Sequence, residues 1–231
     1  MAKSAIPTKP VSTMSGVAAM MSFAAAALFL VLLAALHFIK PEFDPSWNMI
    51  SQYEIGHDGW LMQLAFLFLA LSCVTLVVAI HSQVSTIWGR IGLTLLLIAA
   101  IGMTIAALNI TDPITTPKAE ISAHGNMHGN GFLLGVPGLT IAAVLISLSL
   151  RRNAAWLSAQ RVILWIAQLP WASLVAMIVT IMIMPPKNGG NFGPGVAVGL
   201  PNRLFIIACC VWLMTVAWHA IQLHRQPARR L

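Results

Sequence analysis

Residues 109–132 read NITDPITTPKAEISAHGNMHGNGF and interrupt two long apolar runs of this 231-residue chain. The interruption holds an Asp-Pro pair, a Glu, two His and several residues that favour turns or helix caps. Each flanking run, about 88–110 and 128–150, has the roughly 20 apolar residues that a helix needs to cross the hydrocarbon core of a bilayer. The stretch therefore predicts a polar loop between two membrane helices, and it is where we look first for function.

The composition excludes a soluble globular protein. Hydrophobic residues make up 58% of the chain and charged residues only 8%, whereas about a quarter of the residues of a soluble domain are charged. The net charge of +7 does not indicate nucleic acid binding, because the cations lie in short segments that flank apolar runs. Cys73, Cys209 and Cys210 all fall inside such runs, which argues against a disulfide framework.

Hydropathy predicts an all-α, polytopic membrane protein with a bundle of six transmembrane helices. The expected domain covers residues 16–223, between an N-terminal tail of residues 1–15 and a basic tail of residues 224–231. The predicted spans cover about residues 16–37, 59–81, 88–110, 128–150, 161–184 and 200–223.

The distribution of charge predicts the orientation of the bundle. Basic residues flank alternate ends of the spans without accompanying acids, which predicts that both termini are cytoplasmic and that the protein is multi-pass in the inner (cytoplasmic) membrane. These basic residues are Lys3, Lys9, Arg90, Arg151, Arg152, Arg161, Arg225, Arg229 and Arg230. The outer loops then cover about 38–58, 111–127 and 185–199, and the first two hold all six acids.

Small residues and prolines inside the helices predict how they pack. Gly131 and Gly135 have the four-residue spacing that allows a neighbouring helix to approach closely. Pro137 and Pro170 lie within predicted spans and are expected to kink them.

Asp112 and Arg203 are each predicted to stand at the unfavourable end of a helix dipole. Asp112 follows the third span, at its negative end, and Arg203 lies in the first turn of the sixth, at its positive end. Mutual pairing, or pairing of Asp112 with His128, would remove these penalties. We therefore expect Asp112 and Arg203 within direct or one-water reach, as a functional cluster or as a structural staple.

His124 and His128 are four residues apart, a spacing that suits a metal site on one helical face. Gly125 and Asn126 between them favour a start of the fourth helix near Asn126 or Met127. A divalent metal such as zinc would need a third ligand, for which Asp112, Glu120 or an acid of the first outer loop is available. The alternative is a pair of interfacial histidines in hydrogen bonds, without a cofactor.

Ser51 is a candidate nucleophile that folding could bring near His128 and Asp112. His128, at the start of a helix, would feel the positive dipole end, which favours the neutral imidazole of a general base. The alternative is that Ser51 caps a helix or stabilises a turn.

Five motifs, taken in order, carry a family resemblance. They are ISQYEIG, GWLMQLAFLFLALS, NITDPITTP, HGNMHGNGF and GLPNRLF. This order over about residues 16–223 resembles the bacterial six-helix membrane proteins grouped as domain of unknown function 998. The resemblance implies recurring polar positions at Ser51, Asp112, His128 and Arg203, with Gln52 standing where that family tends to have Glu.

Two kinds of function remain open. A transporter coupled to protons or sodium is disfavoured, because helices two to six lack ionisable groups in their central turns. One possibility is an outward-facing polar cluster that binds a lipid or small amphipathic ligand, or that only staples the helices. The other is a membrane hydrolase acting on a lipid-like substrate through Ser51, Asp112 and His128, with or without metal. The expected partners are membrane lipids and a lipid-like ligand, not nucleic acid.

Overall fold

The computed structural model describes residues 13–187 and 191–225. The described residues form seven α-helices and no strand: α1 (Thr13–Ile39), α2 (Trp60–Ile80), α3 (Ile87–Leu108), α4 (Ala123–Leu150), α5 (Gln160–Ile166), α6 (Leu169–Lys187) and α7 (Gly199–Arg225). Residues 188–190 of the predicted third loop lie outside the described residues. So do most of both predicted tails, with the basic residues Lys3, Lys9, Arg229 and Arg230.

Six helical stretches are long and apolar enough to cross a membrane, as the sequence predicted. The fifth stretch consists of α5 and α6, with a break between Ile166 and Leu169. Pro170 is the second residue of α6, where a missing backbone N–H costs nothing, so the chain restarts a helix at this point instead of bending one. Helix α4, in contrast, continues through Pro137.

Each of the first four helices packs against the next, α7 packs against α1, and α6 packs on α7. Two glycines allow the closest approach, between α3 and α4. A Cβ atom built on Gly102 would lie 2.5 Å from the Gly131 carbonyl oxygen, and one on Gly131 would lie 2.6 Å from the Gly102 oxygen. The small-residue contact predicted for Gly131 is therefore confirmed, and it holds the first half of α4 against the last turns of α3.

The loops 40–59 and 109–122 lie at one end of the bundle and hold all six acids. We call this end the acidic end. Here the start of α7 docks on the backbone of the first loop: the Gly199 N–H donates to the Ser46 carbonyl at 3.0 Å. A Cβ atom on Gly199 would lie 2.6 Å from the Asn48 oxygen, so only glycine permits this contact. The first loop is thereby held against the start of α7.

Candidate functional site

Residues 50–54, ISQYE, form a short 3₁₀ helix at the acidic end, and we refer to them as the ISQYE segment. Three residues make one turn of such a helix, so successive side chains point in different directions. Each residue accordingly meets a different part of the bundle. The Ile50 N–H donates to Asn202 Oδ1 on α7 at 3.0 Å. Ser51 lines a cavity. Gln52 binds the second loop, Tyr53 accepts from the Arg203 guanidinium, and Glu54 contacts His128 on α4.

Gln52 holds the second loop through both ends of its amide. Its Nε2 donates to the Asp112 carbonyl at 3.1 Å, and its Oε1 accepts from the Ile114 N–H at 2.8 Å. A carboxylate could accept the second bond but could not donate the first. Gln52, which stands where the family resemblance implied a glutamate, therefore suits both of its partners in this chain.

Glu54 and His128 form the one acid–imidazole contact inside the described bundle. Glu54 Oε2 lies 3.2 Å from His128 Nδ1, and the carboxylate side chain is fully buried. The same nitrogen lies 2.9 Å from the Asn109 carbonyl and 3.2 Å from that of Ala106, both at the end of α3. All three neighbours are hydrogen-bond acceptors, so Nδ1 carries a proton and donates it. Nε2 has no hydrogen-bond partner among the described residues.

Burial is the largest influence on Glu54. It raises the pKa of the Glu54 carboxyl, and the His128 imidazole and the Thr111 N–H, which donates to Oε2 at 3.2 Å, offset part of that rise. Among the described residues, Oε1 is buried without a hydrogen-bond partner. An unsatisfied oxygen of this kind costs free energy.

Ser51 and His128 line one cavity of about 50 Å³, which the ISQYE segment, α2, α3, α4 and α7 enclose between them. Apart from Asn202, the remaining wall is apolar. It is formed by Met49, Ile50, Phe66, Met103, Ala106, Phe132, Val136, Phe205 and Ile206. A cavity of this volume has room for about three or four water molecules. It suits a small group that is mostly apolar and has one polar end.

Arg203 lies outside this cavity, in a closed set of hydrogen bonds that we call the Arg203 cluster. Nε donates to His37 Nε2 at 2.9 Å, and Nη2 donates to the Tyr53 hydroxyl at 3.0 Å. Nη1 donates to the carbonyls of Asn48 and Gly199. Every nitrogen of the guanidinium thus has a partner, and Arg203 is only 7% exposed. The cluster ties α1, the first loop and α7 together.

The sequence predicted that Asp112 and Arg203 lie within direct or one-water reach. The direct pair is wrong for the described structure, and a contact through one water stays a prediction. Helix α3 ends at Leu108, so Asp112 is not at its negative end. The loop instead carries Asp112 to the positive end of α4, where Oδ2 accepts from the Ser122 N–H at 2.8 Å. No ion pair joins Asp112 to Arg203 or to His128 among the described residues. Asp112 lines a separate cleft over the second loop and the first turn of α4.

The expected start of the fourth helix is also wrong. Ser122 caps α4 by accepting from the Gly125 N–H, so the helix begins at Ala123 and includes both histidines. His124 is exposed, and its Nδ1 lies 3.1 Å from the side-chain oxygen of Asn109, whereas His128 meets the Asn109 backbone. Within the described ranges, no three His, Cys, Asp or Glu side chains are grouped as metal ligands.

Sequence reasoning missed two buried charged residues. One is Glu54, which was counted only among the acids of the first loop. The other is Lys40, 2% exposed, whose ammonium donates to the carbonyls of Tyr53 and Ile55 and lies 5.0 Å from the Phe43 ring centre. Burial lowers the pKa of Lys40. Lys40 thus holds the C-terminal end of the ISQYE segment from the end of α1.

Comparison with known proteins gives one match. The model of the family described as "Protein of unknown function (DUF998)" matches residues 23–219. No match was found among curated proteins or among solved structures. The matched range includes Ser51, Glu54, Asp112, His128 and Arg203.

Proposed function

The chain belongs to the DUF998 family, and we propose that it is a membrane protein which binds a small amphipathic, lipid-like ligand in the cavity between Ser51 and His128. The observation that carries this proposal is the cavity wall. A mostly apolar wall with two or three polar groups is the usual composition of a small-molecule site.

The volume restricts which part of a ligand enters. At about 50 Å³ the cavity is far smaller than the several hundred Å³ of a site that encloses a whole drug-sized molecule. We therefore propose that only a terminal group enters, and that the rest of the molecule lies among the membrane lipids. We assign the Arg203 cluster a different role, that of a structural staple between α1, the first loop and α7.

The proposed orientation places the cavity on the outer face of the inner membrane. Arg90, Arg151, Arg152, Arg161 and Arg225 lie at the opposite end of the bundle from the ISQYE segment. An excess of Arg and Lys favours the cytoplasmic side, which supports cytoplasmic termini.

Photocrosslinking tests the binding proposal. A diazirine-bearing monoacylglycerol with a short acyl chain is added to the purified protein in nanodiscs, irradiated, and mapped by mass spectrometry. We expect adducts on the cavity wall, reduced about tenfold by Val136→Phe, which fills the cavity, a loss equivalent to about 1.4 kcal/mol of binding. Val175→Phe, the same change at a lipid-facing position that is 53% exposed, is the control. Equal labelling of both variants and the wild type would contradict the proposal.

Hydrolysis of a lipid-like substrate is a second candidate, because Ser51 and His128 line the same cavity. Asp112 takes no part in this version, since its carboxylate faces the start of α4. If the protein is a hydrolase, His128→Ala abolishes turnover of an amphipathic ester that the wild type cleaves. The near-intact thermal stability expected from the sequence no longer holds, because Glu54 and two α3 carbonyls lose their donor. A loss of stability, with no activity in the wild type, favours a purely structural role.

A further inference from the structure

We propose that Glu54, His128 and Ser51 form an acyl-transfer relay that cleaves esters with a short acyl group, with Glu54 as the positioning residue. The inference rests on the proposed binding of a ligand in the Ser51–His128 cavity and supplies the acid that the second candidate function lacks. It is carried by two observations: a fully buried carboxylate contacts His128 Nδ1, and His128 and Ser51 line the same cavity.

The orientation of His128 is the first step. A general base for a serine needs one imidazole nitrogen with a proton held by an acceptor and the other nitrogen free. Glu54 and the two α3 carbonyls hold the proton on Nδ1. Nε2 is then the nitrogen that carries the lone pair, and His128 lines the same cavity as Ser51.

The cavity wall supplies a donor for the charge that forms on the ester oxygen. Asn202 lines the cavity, and its Oδ1 is occupied by the Ile50 N–H at 3.0 Å. This bond fixes the amide so that Nδ2 is the donor end. One of its two N–H groups donates to the Met177 sulfur at 3.8 Å, and the other has no hydrogen-bond partner among the described residues. An amide N–H of this kind can stabilise an oxyanion.

The reaction balances without a cofactor. Ser51 Oγ attacks the ester carbonyl carbon while its proton moves to His128 Nε2, and the carbonyl π electrons pass to oxygen. The C–O bond to the leaving alcohol then breaks, and the alcohol takes the proton from Nε2. Water adds to the acyl-serine in the same way and releases the acid and Ser51, so that ester and water give acid and alcohol.

The volume selects the substrate class. A space for about three or four water molecules accepts an ester carbonyl with a short acyl group, and it excludes a long acyl chain from the acyl side. The alcohol portion can extend toward the bilayer, so the class is a short-chain acyl ester of an amphipathic alcohol.

A fluorophosphonate probe tests the relay without knowledge of the substrate. Attack by a serine oxygen on the probe's phosphorus expels fluoride and leaves a stable adduct that can be mapped. With the full-length protein in detergent, we expect an adduct at Ser51 that is absent in Ser51→Ala. We expect labelling to be about 100-fold slower in His128→Gln and about tenfold slower in Glu54→Gln. Glu42→Gln, the same change at an exposed glutamate of the same loop, keeps the wild-type rate.

A spectroscopic measurement separates positioning from folding. In protein labelled with ¹⁵N-histidine, the signal that disappears in His128→Gln should report a protonated Nδ1 and an unprotonated Nε2 in the wild type. The opposite tautomer overturns the relay, even if Glu54→Gln does not fold. Equal labelling of Glu54→Gln and the wild type at Ser51 overturns the role of Glu54. Absence of a Ser51 adduct with photocrosslinking intact overturns the relay and leaves ligand binding standing, whereas loss of both overturns both.

Discussion

Replacement of Arg203 by methionine tests the staple, because methionine keeps most of the length of the side chain and removes every donor. Three acceptors outside α7 then lose their partner: His37 Nε2, the Tyr53 hydroxyl and the Asn48 carbonyl. Hydrogen bonds from a charged group contribute about 1.5 to 3 kcal/mol each, but removal of the guanidinium also removes its own cost of burial. Each neutral acceptor left without a donor costs about 1 to 3 kcal/mol, and the recovered cost of burying the guanidinium offsets part of the sum, so we expect a loss of about 3 to 5 kcal/mol.

Thermal unfolding in detergent measures this loss. For a chain of this length each kcal/mol lowers the Tm by about 2 to 4 °C, so the expected decrease is about 6 to 20 °C. Arg203→Lys should recover part of the lost stability, because the ammonium is still a charged donor. The recovery should be incomplete, because one ammonium cannot reach the positions that the three guanidinium nitrogens reach separately. Arg151→Met, at an exposed arginine of the opposite end, is the control and should change stability by less than about 0.5 kcal/mol.

Double variants decide whether the cluster acts as a unit. Tyr53→Phe should lower stability on its own and add little to Arg203→Met, because the second change removes a partner already lost. Asp112→Asn should add its full effect to Arg203→Met, since no ion pair joins the two residues among the described residues. Full additivity of Tyr53→Phe, or a cost of Arg203→Met below about 1 kcal/mol, would refute the reasoning.

Three other predictions concern orientation, titration and packing. Reporter fusions after residue 231 and within loop 111–127 should report opposite sides of the membrane, and the same side for both would contradict cytoplasmic termini. Because burial raises the pKa of Glu54, the folded state binds the Glu54 proton more tightly than the unfolded chain does. The contribution of Glu54 to stability is present below the ordinary glutamate value of about 4.3 and is lost as the pH rises through the raised pKa. As the pH rises from about 4.3 through the raised pKa of Glu54, the Tm of the wild type should therefore fall relative to that of Glu54→Gln. Parallel plots of Tm against pH for the two proteins would contradict this prediction. Gly131→Val should lower the Tm by the equivalent of about 1 to 3 kcal/mol or more, because its side chain meets the α3 backbone. Gly129→Val, where a Cβ atom would have no neighbour within 4 Å, should have much less effect.

The sequence sufficed for the architecture because the bilayer imposes a length and a polarity on every span. The six predicted spans agree with the helices to within a few residues, except where α4 starts earlier, at Ala123. That difference arises from the Ser122 cap, which stabilises a first turn that Gly125 and Asn126 weaken by propensity alone.

The site was only partly predictable, since it depends on contacts between distant segments. Ser51 and His128 were singled out and do line one cavity. Asp112 was chosen as their acid because it follows a helix, but the path of the loop turns it toward α4. Nothing local distinguishes Glu54 from Glu42: both lie in the same acidic loop, and only the packing of that loop on α3 and α4 buries one and exposes the other.

The docking of α7 on the first loop also sets an order for assembly of the protein during synthesis. Ile50 leaves the ribosome 152 residues before its partner Asn202, a delay of about 8 to 30 s at about 5 to 20 residues per second. During that interval the first loop lacks α7 as donor and acceptor for its hydrogen bonds, and the part of the cavity wall that Asn202, Phe205 and Ile206 provide does not exist. Insertion of the last helix is therefore the step that completes the cavity.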